Sequence, residues 1–171
     1  MRTLQFYLGL LAGCHMIQQA IAVAKEILKL NRNDNLGVRY TLMALYVYTE
    51  DEFNVRKLIR EYKEEEDSAF FTMPLALLKF RQGKWEEAKA ILEKVKAQYK
   101  GFTTFLRDAA AGRDALYDED FHNDYYQPFT RGELITMVLD ADFLWDNAQE
   151  FFRWAKAVMA PARKKAGKKQ R

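Results

Sequence analysis

Cysteine occurs once in this 171-residue chain, at Cys14, so no internal disulfide framework can staple the fold, and a reducing compartment, the cytoplasm, is expected. Histidine occurs twice, at His15 and His122. The two lie on different segments, which denies the chain the paired spacing of a zinc site. Cys14 and His15 are sequence neighbours and would point in different directions on a helix, which disfavours a thiolate–imidazole pair. The eight glycines are dispersed, so there is no glycine-rich loop to cradle a phosphate. His122 stands among Asp118, Asp120 and Asp124, but that run lacks the glycine and the distal glutamate of a calcium loop. The carboxylate clusters at 64–66, 86–87 and 118–120 fall where a solvated helix face or loop places charge. We therefore expect no catalytic residues, no metal, no cofactor and no enzyme. Nor do about 18 uncharged apolar residues occur together anywhere, so no membrane span is expected.

An arginine followed by an apolar run over residues 1–14 has the outline of a signal peptide. The apolar rhythm nevertheless continues through Ile17, Ala20, Ile21, Ala24, Ile27 and Leu28, as it does in a packed helix pair. Apolar and aromatic residues make up 49% of the chain, enough to bury one core. The formal charge of +3 is a property of the C-terminus: Arg163, Lys164, Lys165, Lys168, Lys169 and Arg171 have no acid among them, and without them 21 basic side chains face 24 acidic ones. Residues 161–171 read as a basic disordered tail, either merely solubilising or giving weak, salt-sensitive contact with nucleic acid.

Helical periodicity recurs along residues 20–31, 36–48, 50–62, 70–80 and 85–99, with the break at 31–35 carrying Asn and Asp. Ala20, Val55 and Ala88, small or branched residues at matching places in alternate helices, lie 35 and then 33 positions apart, a period of about 34. After Lys100 the rule fades. Residues 102–111 suggest the first helix of a degenerate fourth hairpin, with Gly112 as its stop, and 117–128 read as an acidic, aromatic loop. Thr130 and Glu133 match a capping box for a helix over 131–141. A last helix over 143–159 has a broad apolar face suited to cap a stack.

Gly83, Ala88, Leu92 and Val95 fall where the tetratricopeptide repeat family places glycine, alanine, a large apolar residue and a small one, and the chain resembles that family over residues 3–100. The second repeat is poorer, with Val55 for the alanine and 49–51 for the glycine turn. The first lacks the aromatic opening, and Arg32 stands where a proline usually ends the second helix. The segment 30–40 resembles the inter-repeat stretch of a largely uncharacterised subgroup of these proteins. There Asp34 or Asn35 would cap the next helix and Arg39 would reach back to a carboxylate. Gly83, Ala88, Asp34 and Arg39 are the expected structural residues between and within repeats.

The resemblance implies an all-α fold: a right-handed α-solenoid of about three stacked hairpins over 1–100, with a degenerate hairpin, loop and capping helices over 101–160. In such a stack the first helix of each repeat lines a concave groove. That places Tyr40, Ala44, Val47 and Tyr48, with Phe70, Met73, Leu77, Phe80 and Arg81, toward a peptide or helix of another protein. The other arrangement open to the sequence has the C-terminal helices filling the groove and the same residues in the core. The family's clamp for a terminal carboxylate is not reproduced, since Tyr40, Ala44 and Met73 stand where polar residues would be needed. The expected function is a non-enzymatic protein-interaction or scaffold module. The alternative is a nucleic-acid- or ribosome-associated factor using the basic tail, and self-association through an uncapped end hairpin is a third possibility.

Overall fold

A computed structural model of the chain describes residues 2–116 and 126–160. These residues are all-α, β pairing among them being limited to one isolated bridge between Lys100 and Thr130. Six helices precede residue 100: α1 (Arg2–Gly13), α2 (Ile17–Leu30), α3 (Val38–Tyr48), α4 (Glu52–Glu61), α5 (Ala69–Arg81) and α6 (Trp85–Gln98). After them come α7 (Phe102–Ala111), α8 (Arg131–Asp140), the single-turn α9 (Asp142–Trp145) and α10 (Gln149–Met159). The acidic loop read at 117–128 lies outside the described residues for most of its length, as does the basic tail.

The three hairpins α1–α2, α3–α4 and α5–α6 turn in the same way. His15, Glu50 and Gly83 take the left-handed conformation, with φ of 56°, 55° and 72°. In each turn the amide of that residue bonds back to the carbonyl three residues earlier, at Ala12, Val47 and Phe80. The next amide, at Met16, Asp51 and Lys84, reaches the carbonyl five residues earlier, at Leu11, Tyr46 and Lys79. This is the Schellman closure, which satisfies carbonyls left orphaned at a helix end. Only Gly83 adopts the conformation without a Cβ penalty; His15 and Glu50 each cost roughly 1 kcal/mol. One buried leucine contributes about 1.5–3 kcal/mol, so packing of the helices decides the turn rather than the turn residue. The three turns recur at the sequence interval already marked by Ala20, Val55 and Ala88, all of which are fully buried.

Within these pairs apolar faces meet along i, i+3 and i+4 rows. Successive helices from α1 to α4 pack on one another, α3 lies against α5, and α5 and α6 share a long contact. Asp51 caps α4 by accepting the Asn54 amide at 3.0 Å, and Ser68 accepts the Phe70 amide at the start of α5. Beyond residue 100 the pairing changes partner: α7 packs chiefly on α10, and α10 also lies on α6. Arg131 at the head of α8 donates to Asp108 Oδ2 at 3.0 Å, tying α8 to α7.

Two expectations are corrected here. The helix read over 143–159 is two helices, because Asp146 and Asn147, a turn-forming pair, break it between α9 and α10. The resulting corner brings Trp145, Phe151 and Phe152 together, with ring centroids 5.4 to 6.3 Å apart. The capping box does not form: the Thr130 hydroxyl donates to the Gln127 carbonyl, and Glu133 turns inward. There its carboxylate accepts from the Ala69 amide at 2.9 Å, the Tyr99 hydroxyl at 2.7 Å, the Phe129 amide at 2.8 Å and the Ser68 hydroxyl at 3.2 Å. Glu133 thus caps α5, a different helix from its own. Burial, and then the bond to Glu133, raise the Tyr99 hydroxyl above its ordinary range.

Candidate partner-binding surface

Asp34 organises the entry to α3. Its side chain accepts the Val38 and Arg39 amides at 2.8 and 2.9 Å, and Arg39 returns to it through Nη1 at 2.9 Å. The other end of the Arg39 fork donates to Glu65 at 2.7 Å and to the Tyr40 hydroxyl at 2.9 Å. Burial opposes the Arg39 charge, but the bonds to Glu65 and Asp34 outweigh it and hold the guanidinium charged. Burial also raises the Tyr40 hydroxyl, reinforced by Glu65. This cluster links α3 to the segment before α5 and leaves little of itself for a ligand. Gly83 makes the α5–α6 turn, and Ala88 is fully buried on α6.

The residues read as groove lining lie mostly in the interior. Ala44, Val47, Phe70, Met73 and Leu77 are buried, and Tyr40, Tyr48, Phe80 and Arg81 are half-buried. The C-terminal helices cover them. The Phe80 ring stands 5.6 Å from Phe151 and 5.0 Å from Trp154, both on α10, and the Tyr48 ring 6.0 Å from Phe143 on α9. Tyr48 also sits beside His15, its hydroxyl 3.3 Å from Nδ1. Burial lowers the Arg81 guanidinium below its ordinary value. Over α5 and the second half of α3, therefore, core takes the place of an open groove, because α8, α9 and α10 lay apolar side chains on it and remove that surface from water.

One part stays open. A cleft of about 490 Å³ lies between α1, the first turn of α3 and the α8–α9 corner, and Tyr40 and Phe70 line it, stacked with centroids 4.5 Å apart. Its α1 wall is low because Gly9 and Gly13 carry no side chains, and a Cβ built at either meets nothing within 4 Å. The charged residues lining it are Asp140 and Asp142. Asp142 is paired with Arg113 at 3.5 Å, whereas Asp140 has no cation at ion-pair distance among the described residues. Asp140 is exposed at the rim of the cleft, and partial desolvation by the neighbouring chain raises its carboxyl above the ordinary value.

One stripe further round α1, beside Gly13, stand Phe6 and Leu10, 71% and 51% exposed, with Tyr7 beyond them at 49%. Arg2 is the one charged residue of that helix. Phe6, Tyr7 and Leu10 lie together on one short helix, whereas Leu30, Phe53, Trp85 and Phe129 are exposed on separate segments. Sequence reasoning missed this stripe, although the scarcity of charge in α1 was the available signal. Elsewhere among the described residues, no three His, Cys, Asp or Glu side chains come together to hold a metal ion, and no helix is long and apolar enough to cross a membrane. Cys14 is exposed at the end of α1. His122 and its neighbouring aspartates lie outside the described residues.

No family model, curated protein or solved structure matches this chain. Its functional reading accordingly rests on the fold and on the cleft beside α1.

Proposed function

We propose that the chain is a non-enzymatic protein-interaction module, built as a stack of tetratricopeptide-like hairpins, that receives an amphipathic segment of another protein in the cleft beside α1. The observation that carries this reading is the exposed Phe6 and Leu10 stripe on α1, the helix whose Gly9 and Gly13 form one wall of that cleft. The common turn geometry at His15, Glu50 and Gly83 supports the stacked-hairpin part. Asp140, without a cation of its own, favours a segment with a lysine or arginine beside its apolar residues.

Gly9→Gln tests the proposal because it places a side chain on the cleft wall at a position where the new Cβ meets nothing within 4 Å. Replacing a mid-helix glycine also stabilises α1 by about 0.5–1 kcal/mol, so lost binding would not reflect lost folding. The expected result is a protein captured from the native host by the wild type and lost from both Gly9→Gln and Asp140→Lys. Circular dichroism should show helix content unchanged in both. Capture that is indifferent to both substitutions would reject the cleft as the contact site.

A further inference from the structure

A second cleft, of about 600 Å³, opens between α2 and α4. Leu42 and Tyr46 of α3 border it on the side of that helix away from Tyr40 and Ala44, and Leu28 and Leu58 complete an apolar floor. Around the floor stand Lys25, Lys29, Arg32 and Lys57, against a single acid, Glu61. Lys29 has a loose partner in Glu26, 3.9 Å away, but among the described residues no carboxylate lies at ion-pair distance from Lys25, Arg32 or Lys57. Phe53, one turn before Lys57 on the adjoining stripe of α4, is 74% exposed. Without its C-terminal run the chain carries more acid than base, so four cations around one apolar hollow depart from the charge of the body.

We propose that this cleft docks an acidic segment of a partner protein, with carboxylates meeting Lys25, Arg32 and Lys57 and an aliphatic side chain seated on Leu28, the half-buried leucine above the buried Leu42 and Leu58. The inference concerns a different face from the α1 cleft and stands or falls separately. Charge complementarity selects the sign of the occupant, and the leucine floor selects a peptide over a nucleic acid. Single-stranded nucleic acid needs open aromatic faces on which bases stack. Of the two aromatic rings that line the cleft, Tyr46 is only 5% exposed with Lys25 Nζ over it at 5.7 Å, and the half-buried Tyr62 has the Arg39 guanidinium over it at 5.7 Å.

The experiment is fluorescence anisotropy on the full chain with a short labelled peptide of mixed glutamate and leucine. Oligoglutamate and polyuridylate serve as competitors. Lys25→Glu combined with Lys57→Glu should weaken binding at least about tenfold, and added salt should weaken the wild-type complex. Because Lys25 also packs on Tyr46, Lys57→Glu alone is the second variant; it changes an exposed side chain, and circular dichroism verifies its fold. It should weaken the complex by about threefold or more. Competition by oligoglutamate much weaker than by the leucine-containing peptide supports the apolar floor. The proposal is overturned if the peptide fails to bind, if Lys57→Glu leaves its affinity unchanged, if oligoglutamate competes equally well, or if polyuridylate competes better than the peptide itself.

Discussion

Two lysines, an arginine and a glutamine converge on Glu52 at the start of α4: Lys79 at 2.8 Å, Gln82 at 3.0 Å and Lys84 at 3.4 Å, with Arg56 one turn along the same helix. Lys79 is nearly buried and is also paired with Glu87 at 3.1 Å, so the cluster joins α4 to α5 and α6. These donors, Lys79 foremost, hold the Glu52 carboxyl well below its ordinary 4.5. A folded value below the unfolded one means that the stabilisation is present above that ordinary value and is lost as pH falls through the folded one. Glu52→Gln should therefore lower stability by about 1 kcal/mol near neutrality, and the gap to the wild type should close as the medium is acidified below the ordinary carboxylate value. Urea denaturation of both proteins across that range is the measurement, and a gap independent of pH would refute the role. In the sequence, Glu52 and Lys79 were two charges among many, because an ion pair between separate helices leaves no mark in spacing. Glu133 carries the same lesson more sharply. Its position three residues after Thr130 fits a local cap, yet the carboxylate serves α5, where buried amide and hydroxyl donors had no nearer acceptor.

Helices were the most legible level. The apolar period identified α2 to α7 within a few residues of their ends, since backbone bonding and the i, i+4 face are local properties. Phe80 shows where locality stops. The sequence places it with Met73 and Leu77 toward a concave groove, but the aromatic rings that meet it come from α10, at the far end of the described chain. Phe80→Ala is accordingly expected to destabilise the protein by about 2 kcal/mol, as loss of a half-buried ring should, and to change the fluorescence of Trp154. Chemical denaturation measures the first effect. Wild-type stability in this variant would show that the α5–α10 seam does not hold the fold together.

At the scale of the molecule, the C-terminal helices govern which surface is available. Side chains from Leu8 to Met159 form one buried cluster, and α10 is bound into it at both ends. Gln149 donates to the Ala109 and Ala110 carbonyls of α7, and Lys96 of α6 donates to the Met159 carbonyl at 2.9 Å. Ending the chain at Ala148 should uncover Phe80 and Phe105 together, remove at least about 3 kcal/mol of stability and produce strong binding of a hydrophobic dye. Calorimetry and dye fluorescence together check this, and a cooperative, dye-silent truncated chain would contradict it. The same coverage gives the candidate contact surface its place: binding is proposed where α9 ends and α1 stands uncovered, not along the groove that α9 and α10 occupy.

Reading residues in order sufficed for the helical class, the recurring interval and the turn at Gly83, because each depends on neighbours a few positions away and on backbone sterics that glycine relaxes. It left open whether Tyr48 and Phe80 face a partner or the protein's own C-terminal helices, since both arrangements bury the same apolar side chains. Three-dimensional packing resolved that choice. Contact between segments far apart in sequence is determined by the total apolar area they hide together, a quantity that no local pattern carries.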